Sequence, residues 1–211
     1  MQFTFNEEQD QLRATAQKFL ADKSPTVEVR RLMETHQGYD PIVWAQLSSE
    51  LGFTATHIPE TYGGLGLSHA ELGILFEEMG RALLCAPFLA TAIAATAIMN
   101  VGTESEKSEL LPDIATGARI GTLAVFETFG TWDTDSIELT AKNNRLNGVK
   151  RYVLDGHIVD FIIVVARTTN SDGIDCIGFF LVDGDAPGLN RRILNTIDST
   201  RKLTQLEFVD V

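Results

Sequence analysis

Paired thiols, metal-ligand spacings and basic clusters are all missing from this sequence. The only two cysteines, Cys85 and Cys176, lie far apart, so no disulfide framework is expected. None of the four histidines (His36, His57, His69, His157) has a partner at i, i+4 or a cysteine at ligand spacing, and no metal site is expected. Lys and Arg number 17 against 29 Asp and Glu, a formal charge of -12. Such a field repels phosphate backbones and anionic membrane surfaces, which argues against a nucleic-acid partner. The N-terminus has neither the basic nor the apolar region of a secretory signal, and a cytoplasmic location with reduced thiols is expected. Internal repeats and low-complexity segments are absent as well.

One long uncharged run is present, Ala82 to Val101. It is mostly Ala and Thr, is interrupted by Pro87, and has no basic flank to orient it, so it reads as a buried helix inside a helical domain and not as a membrane span. With 44% apolar residues in 211, the chain can bury one large core or two smaller ones.

The first half has helical periodicity. Thr4 and Glu7 stand at capping-box spacing before Leu12, Ala16, Phe19 and Leu20. Asp40 and Pro41 suit the N-cap and first position of a second helix striped by Trp44, Leu47 and Leu51 and stopped by Gly52. Ser68 and Glu71 open a third, with Leu72, Leu75, Met79 and Leu83 on the apolar face and Glu77 and Glu78 toward solvent. Thr103 and Glu106 make a further capping box. Near Gly117 the period shifts toward two. Strands are expected over 120–126, 137–141, 146–154, 161–166, 177–182, 189–194 and 203–209, separated by Asn143-Asn144, Asp155-Gly156, Asp172-Gly173 and Pro187-Gly188. The expected class is α+β: an all-helical domain, 1–117, followed by a small antiparallel β-barrel or sandwich, 118–211.

The stretch Pro59–Gly66, "PETYGGLG", raises the question of a phosphate cradle. Cradles of that kind follow a strand, and the Walker type adds a lysine. Here a helical segment precedes and no lysine follows, so the glycines read as a corner between helices.

The same stretch carries a family resemblance. "LGFTATHIPETYGGLGLSHAELGILFEEMGRALLCAPF" resembles the N-terminal helical domain of acyl-CoA dehydrogenases, and the likeness continues through "GTESEKSELLPDIATGARIG", "LNGVKRYVLDGHIVDFIIVVART" and "LEFVDV". The resemblance implies an FAD enzyme that removes the α-proton and β-hydride of an acyl-CoA thioester inside an oligomer. It also implies a third, C-terminal helical bundle supplying the catalytic glutamate. These 211 residues are expected to stop where that bundle begins, whether because the protein is short or because the chain is a piece of a longer one.

The family's flavin strand aligns with Leu123–Asp133, where Val125, Glu127 and Asp133 match. Phe126 replaces the hydroxyl donor to the flavin ring, Thr128 a proline, and Trp132 a serine. The family's second flavin segment aligns with Tyr152–Gly156: Tyr152 keeps an aromatic surface, while Leu154 replaces the threonine that bonds near N5. The resemblance therefore names Leu123, Val125, Phe126, Trp132, Tyr152 and Leu154 as cofactor-contacting positions. Backbone N–H groups at Val125 and Phe126 survive side-chain change, yet each buried donor lost costs about 1–3 kcal/mol. Phe126, Leu154 and Trp132 are equally well explained as core. No residue is assigned as catalytic base, since Asp133 and Asp135 read as a solvated turn. FAD is expected either here or on a partner subunit. The partner is a related dehydrogenase chain or a second copy, and the pattern is similar to heteromeric actinobacterial steroid-degradation members.

Overall fold

The computed structural model describes residues 4–131, 133–168 and 176–211. They form two compact units, Met1–Ala86 with Glu104–Ala118, and Pro87–Thr103 with Arg119–Val211.

In the first unit, α1 (Glu7–Lys23) is capped by Asn6, whose side chain accepts from the Gln9 N–H while the Gln9 side chain accepts from that of Asn6. This box replaces the expected Thr4–Glu7 pair; Asn is at least as strong a cap as Thr. A short α2 (Thr26–Met33), not anticipated, has no side-chain cap. It is held by burial of Val29 and Leu32 with Cys85. Asp40 caps α3 (Pro41–Ala45) as expected, and Gly52, at φ 68°, ends the wider turn that follows. The Ser68–Glu71 box opens α4 (His69–Arg81), which buries Leu72, Leu75 and Met79. Leu83 falls past its end, with φ 51° and 57% exposure, and so leaves the apolar stripe. The unit closes with α6 (Glu104–Ala115), whose C-terminal segment takes a hydrogen bond from Trp44 Nε1 to Gly117 O (2.9 Å) and from Thr54 Oγ1 to Ala115 O (2.8 Å).

The glycine corner is closed on itself. Backbone N–H groups from Gly63 to Leu67 donate, in order, to the carbonyls of Glu60, Pro59, Ala55, Ile58 and Thr56. A phosphate would find those donors already occupied. Gly63 and Gly66 have positive φ, and a Cβ on Gly64 would lie on the Ile58 carbonyl.

In the second unit, α5 (Phe88–Val101) starts just after Pro87. It packs on β1 (Gly121–Ala124) and β4 (Phe161–Arg167). The uncharged run therefore covers a sheet instead of lying within the helical unit, and Ala90, Ala94 and Ala95, all buried, let it approach closely. No helix among the described residues is long and apolar enough to cross a membrane. The other strands are β2 (Thr140–Lys142), β3 (Arg145–Leu154), β5 (Ile177–Asp183), β6 (Leu189–Ile193) and β7 (Leu203–Phe208). They form one curled sheet in the order β1-β4-β2-β3-β7-β6, with β5 on the other side of β4. The pairing is mixed: β1 and β2 run parallel to β4, the remaining pairs antiparallel. Asn143 and Asn144, both at positive φ, make the two-residue β2–β3 turn. β4 is buried at six successive residues, as expected for a strand covered on both faces.

Candidate functional site

The positions singled out by the flavin alignment meet where β1 ends and β3 bends. Leu123 belongs to β1, and the chain runs on through Val125 and Phe126, whose carbonyl accepts from the Arg151 N–H (2.8 Å). Just before Leu123 in β1, Thr122 Oγ1 donates to the carbonyl of Leu154 (2.8 Å). Between Lys150 and Val153 the β3–β7 register slips, and the residue taking up the slip is Tyr152, at φ 56° and 42% exposed. A left-handed aromatic residue is uncommon and costs on the order of 1–3 kcal/mol. The bulge turns the Tyr152 ring out beside Gly130, where a Cβ would sit 3.7 Å from Tyr152 Cε2. Leu123, Val125, Phe126 and Leu154 are half-buried. Trp132 lies outside the described residues.

The loop after β1 is held by a clasp. Lys150, with no exposed surface, donates from Nζ to Glu127 Oε1 (2.7 Å) and Val125 O (2.9 Å). Glu127 also accepts from the N–H groups of Leu139 (3.0 Å) and Glu138 (2.9 Å). Burial pushes the Lys150 ammonium down, with hydrogen bonding and charge from Glu127 pulling the other way. A carboxylate so occupied is a structural anchor. Asp133 caps the turn Thr134–Ser136 by accepting from the Asp135 N–H, in keeping with the solvated-turn reading. Among the described residues no His, Cys, Asp and Glu cluster is arranged for a metal ion.

Two buried carboxylates escaped the sequence reading. Glu78, expected at the solvent, is 2% exposed; it accepts from Arg13 (2.7 Å), Gln17 (3.0 Å) and Arg81 (2.9 Å). Burial raises its carboxyl, but the bonds from Gln17 and Arg13 and the Arg81 charge outweigh it and hold the group below its usual value. The signal was present, since Glu78 stands three residues after Leu75 and beside Met79, on the apolar stripe. Asp155 follows Leu154 at φ 51° and is 4% exposed. Burial raises its carboxyl to about 6, against the Arg201 guanidinium 3.7 Å away. A turn-forming Asp-Gly pair gives no warning that its carboxylate points inward.

The chain is similar in sequence and fold to known proteins. IpdE2 of Mycolicibacterium smegmatis, named an acyl-CoA dehydrogenase, is 37% identical over 118 residues, which is 56% of this chain and 37% of that protein. The structure named Tcur3481-Tcur3483 steroid ACAD superposes with a TM-score of 0.86 at 31% identity, covering 97% of this chain and 55% of that one. Butyryl-CoA dehydrogenase from Megasphaera elsdenii gives 0.88 at 27% identity, covering 100% and 58%. The chain spans between 37% and 46% of the length of the curated relatives considered. The family model for the acyl-CoA dehydrogenase N-terminal domain matches residues 6–118, and the chain belongs to the acyl-CoA dehydrogenase family.

Proposed function

We propose that this chain is one subunit of an oligomeric, FAD-dependent acyl-CoA dehydrogenase, acting at the level of the complex in α,β-dehydrogenation of an acyl-CoA thioester. Its partner is a second, related dehydrogenase chain, and the names of the relatives support a steroid-derived acyl group. The observation that carries the reading is a scaffold kept without its donors. The Glu127–Lys150 clasp and the Tyr152 bulge hold the loop, while the side chains at Phe126 and Leu154 offer only carbon to the same half-buried place.

The residues present do not fit a self-sufficient flavin site. Leu123, Val125, Phe126, Tyr152 and Leu154 make an apolar and aromatic shelf that suits the face of a flavin ring. Its polar edge would have to rely on backbone groups, because none of these side chains except the exposed Tyr152 has a donor. Glu127 and Asp133 are committed to the fold, and neither is assigned as the base. The donor-poor shelf also supports a second reading, a non-catalytic subunit that stabilises an active partner. Purification alone and after co-expression with a neighbouring dehydrogenase gene separates the readings. A flavin-containing, active complex with a nearly colourless isolated chain is expected. Stoichiometric flavin on the isolated chain would overturn the shared-site reading, and a complex whose flavin and turnover match the partner alone would favour the non-catalytic one.

A further inference from the structure

Strand β5 carries a second feature, independent of the flavin shelf. Its seven residues pair with β4 along their whole length, and among the described residues no hydrogen bond is recorded from its other edge. A surface cavity of about 570 Å³ separates residues 180–183 of β5 from the β2–β3 turn, Arg145 included, and from Val211. From Ile177 to Val182 the strand has no charge and no proline. Phe179 and Leu181, alternate residues on one face, are 46% and 43% exposed.

Sheet edges in monomeric proteins are normally blunted by charge, shortness or cover, because open N–H and C=O rows pair with other chains. The other edges here follow that rule: β1 has four residues under α5, and β6 carries Arg191 and Arg192. Among the described residues, β5 is the long apolar edge without a hydrogen-bonded neighbour.

We infer that β5 is a self-association edge, pairing antiparallel with β5 of a second copy of this chain about a two-fold axis at Phe180. The sequence is self-complementary in that register. Phe179 comes opposite the partner's Leu181, and Leu181 opposite the partner's Phe179, giving two aromatic–aliphatic cross-strand pairs on one face. Asp183 comes opposite the partner's Ile177, so the one charged residue of the strand meets no like charge. The pairing joins two curled sheets through one isologous contact. A single strand pair buries less than the roughly 1,200 Å² of a standard interface, so the dimer is weak and concentration-dependent.

Sedimentation velocity on the 211-residue chain tests this. A reversible monomer–dimer equilibrium is expected below roughly 100 μM, and Leu181→Lys, which charges the edge, is expected to weaken it more than about tenfold. A Leu181→Thr variant keeps strand propensity and guards against misfolding of the lysine variant. It is expected to weaken association to a smaller degree with an unchanged circular-dichroism spectrum. Register is read by oxidative cross-linking in a Cys176→Ser background. A mixture of Phe179→Cys and Leu181→Cys chains is expected to form the disulfide between unlike chains faster than either forms one alone. A chain monomeric throughout that range, association indifferent to Leu181→Lys, or cross-linking no faster in the mixture would each overturn the proposal. Failure to bind a related subunit would not bear on it.

Discussion

Replacing Asp155 by Asn is expected to stabilise the protein, and more so as pH rises. The carboxyl is 4% exposed, Oδ2 has no hydrogen-bond donor, and its nearest cation, Arg201 Nη1, stands 3.7 Å away. Its folded value, about 6, lies above the ordinary aspartate value of 3.8. A group raised in this way contributes stability fully present below the unfolded value and lost as pH rises through the folded one. The shift of about two units corresponds to about 3 kcal/mol between those limits. About 1.4 kcal/mol of that falls between roughly pH 5 and pH 8. Asn has the same outline and tolerates positive φ as Asp does, so the variant removes the ionisation and little else. Arg201 retains 22% side-chain exposure and solvates its charge without the partner. Urea denaturation followed by circular dichroism at both pH values gives the stability difference between variant and wild type, in which titration of all other groups cancels. An advantage for Asp155→Asn that grows by about 1.4 kcal/mol from roughly pH 5 to pH 8 is expected. A variant less stable at the higher pH, or a difference flat with pH, would refute the argument that burial, not Arg201, controls this carboxylate.

Arg13→Ala removes one of the two guanidinium partners of the buried Glu78 carboxylate, which keeps Arg81 and Gln17, and is expected to lower the denaturation midpoint in urea. Arg81→Ala, at a side chain 65% exposed, is expected to cost less than about 1 kcal/mol. Gly64→Ala pushes a methyl onto the Ile58 carbonyl and should lower the melting temperature, with a cost of about 1–3 kcal/mol. Gly73→Ala, in α4 with nothing within 4 Å of the added carbon, should leave it unchanged or raise it by about 0.5–1 kcal/mol of stability. The pair of variants Phe126→Thr and Leu154→Thr, made together, is expected to increase flavin retained per chain, read as visible absorbance against protein. No gain in the double variant would mean that backbone groups or a partner chain decide flavin binding.

Helix caps and strand positions were legible because they follow from chemistry local in sequence. Asp40, the Ser68–Glu71 box and the Asn143-Asn144 turn all act within a few residues of where they stand. Elements that depend on distant partners were not. α2 has no cap and forms because Val29 and Leu32 meet Cys85, and α5 went to the sheet because its small-residue face fits β1 and β4. Parallel pairing of β1 with β4 is likewise invisible to an alternation pattern, which fixes the face of a strand and not its direction. Around the candidate site, the alignment named positions in the loop and at Tyr152 without the bulge itself, and neither the Lys150 clasp nor the buried Asp155 could be inferred from residue type. Both are ionisable groups that spacing alone would put in water.

The clasp also explains how the shelf can lose its donors without losing its shape. Lys150 and Glu127 fix the course of the chain from Val125 to Leu139 through main-chain partners and each other. No bond in that set uses the side chain of Phe126 or Leu154. Substitution at those two positions therefore changes what the shelf offers a ligand while leaving its backbone frame in place. Lys150 and Glu127 are under the opposite constraint: without Glu127 the fully buried Lys150 ammonium keeps only the Val125 carbonyl, a loss of about 3–5 kcal/mol, whereas without Lys150 the Glu127 carboxylate keeps its two N–H donors and less is lost. Under the proposed shared-site reading, the fold tolerates change at Phe126 and Leu154 but not at Lys150 and Glu127. Lys150→Met, which removes the ammonium and leaves Glu127 with its two backbone donors, is expected to loosen residues 125–139 selectively. Hydrogen exchange should rise there and at β2 while α5 and β4 stay protected; uniform exchange across the unit would show that the clasp is incidental to the loop.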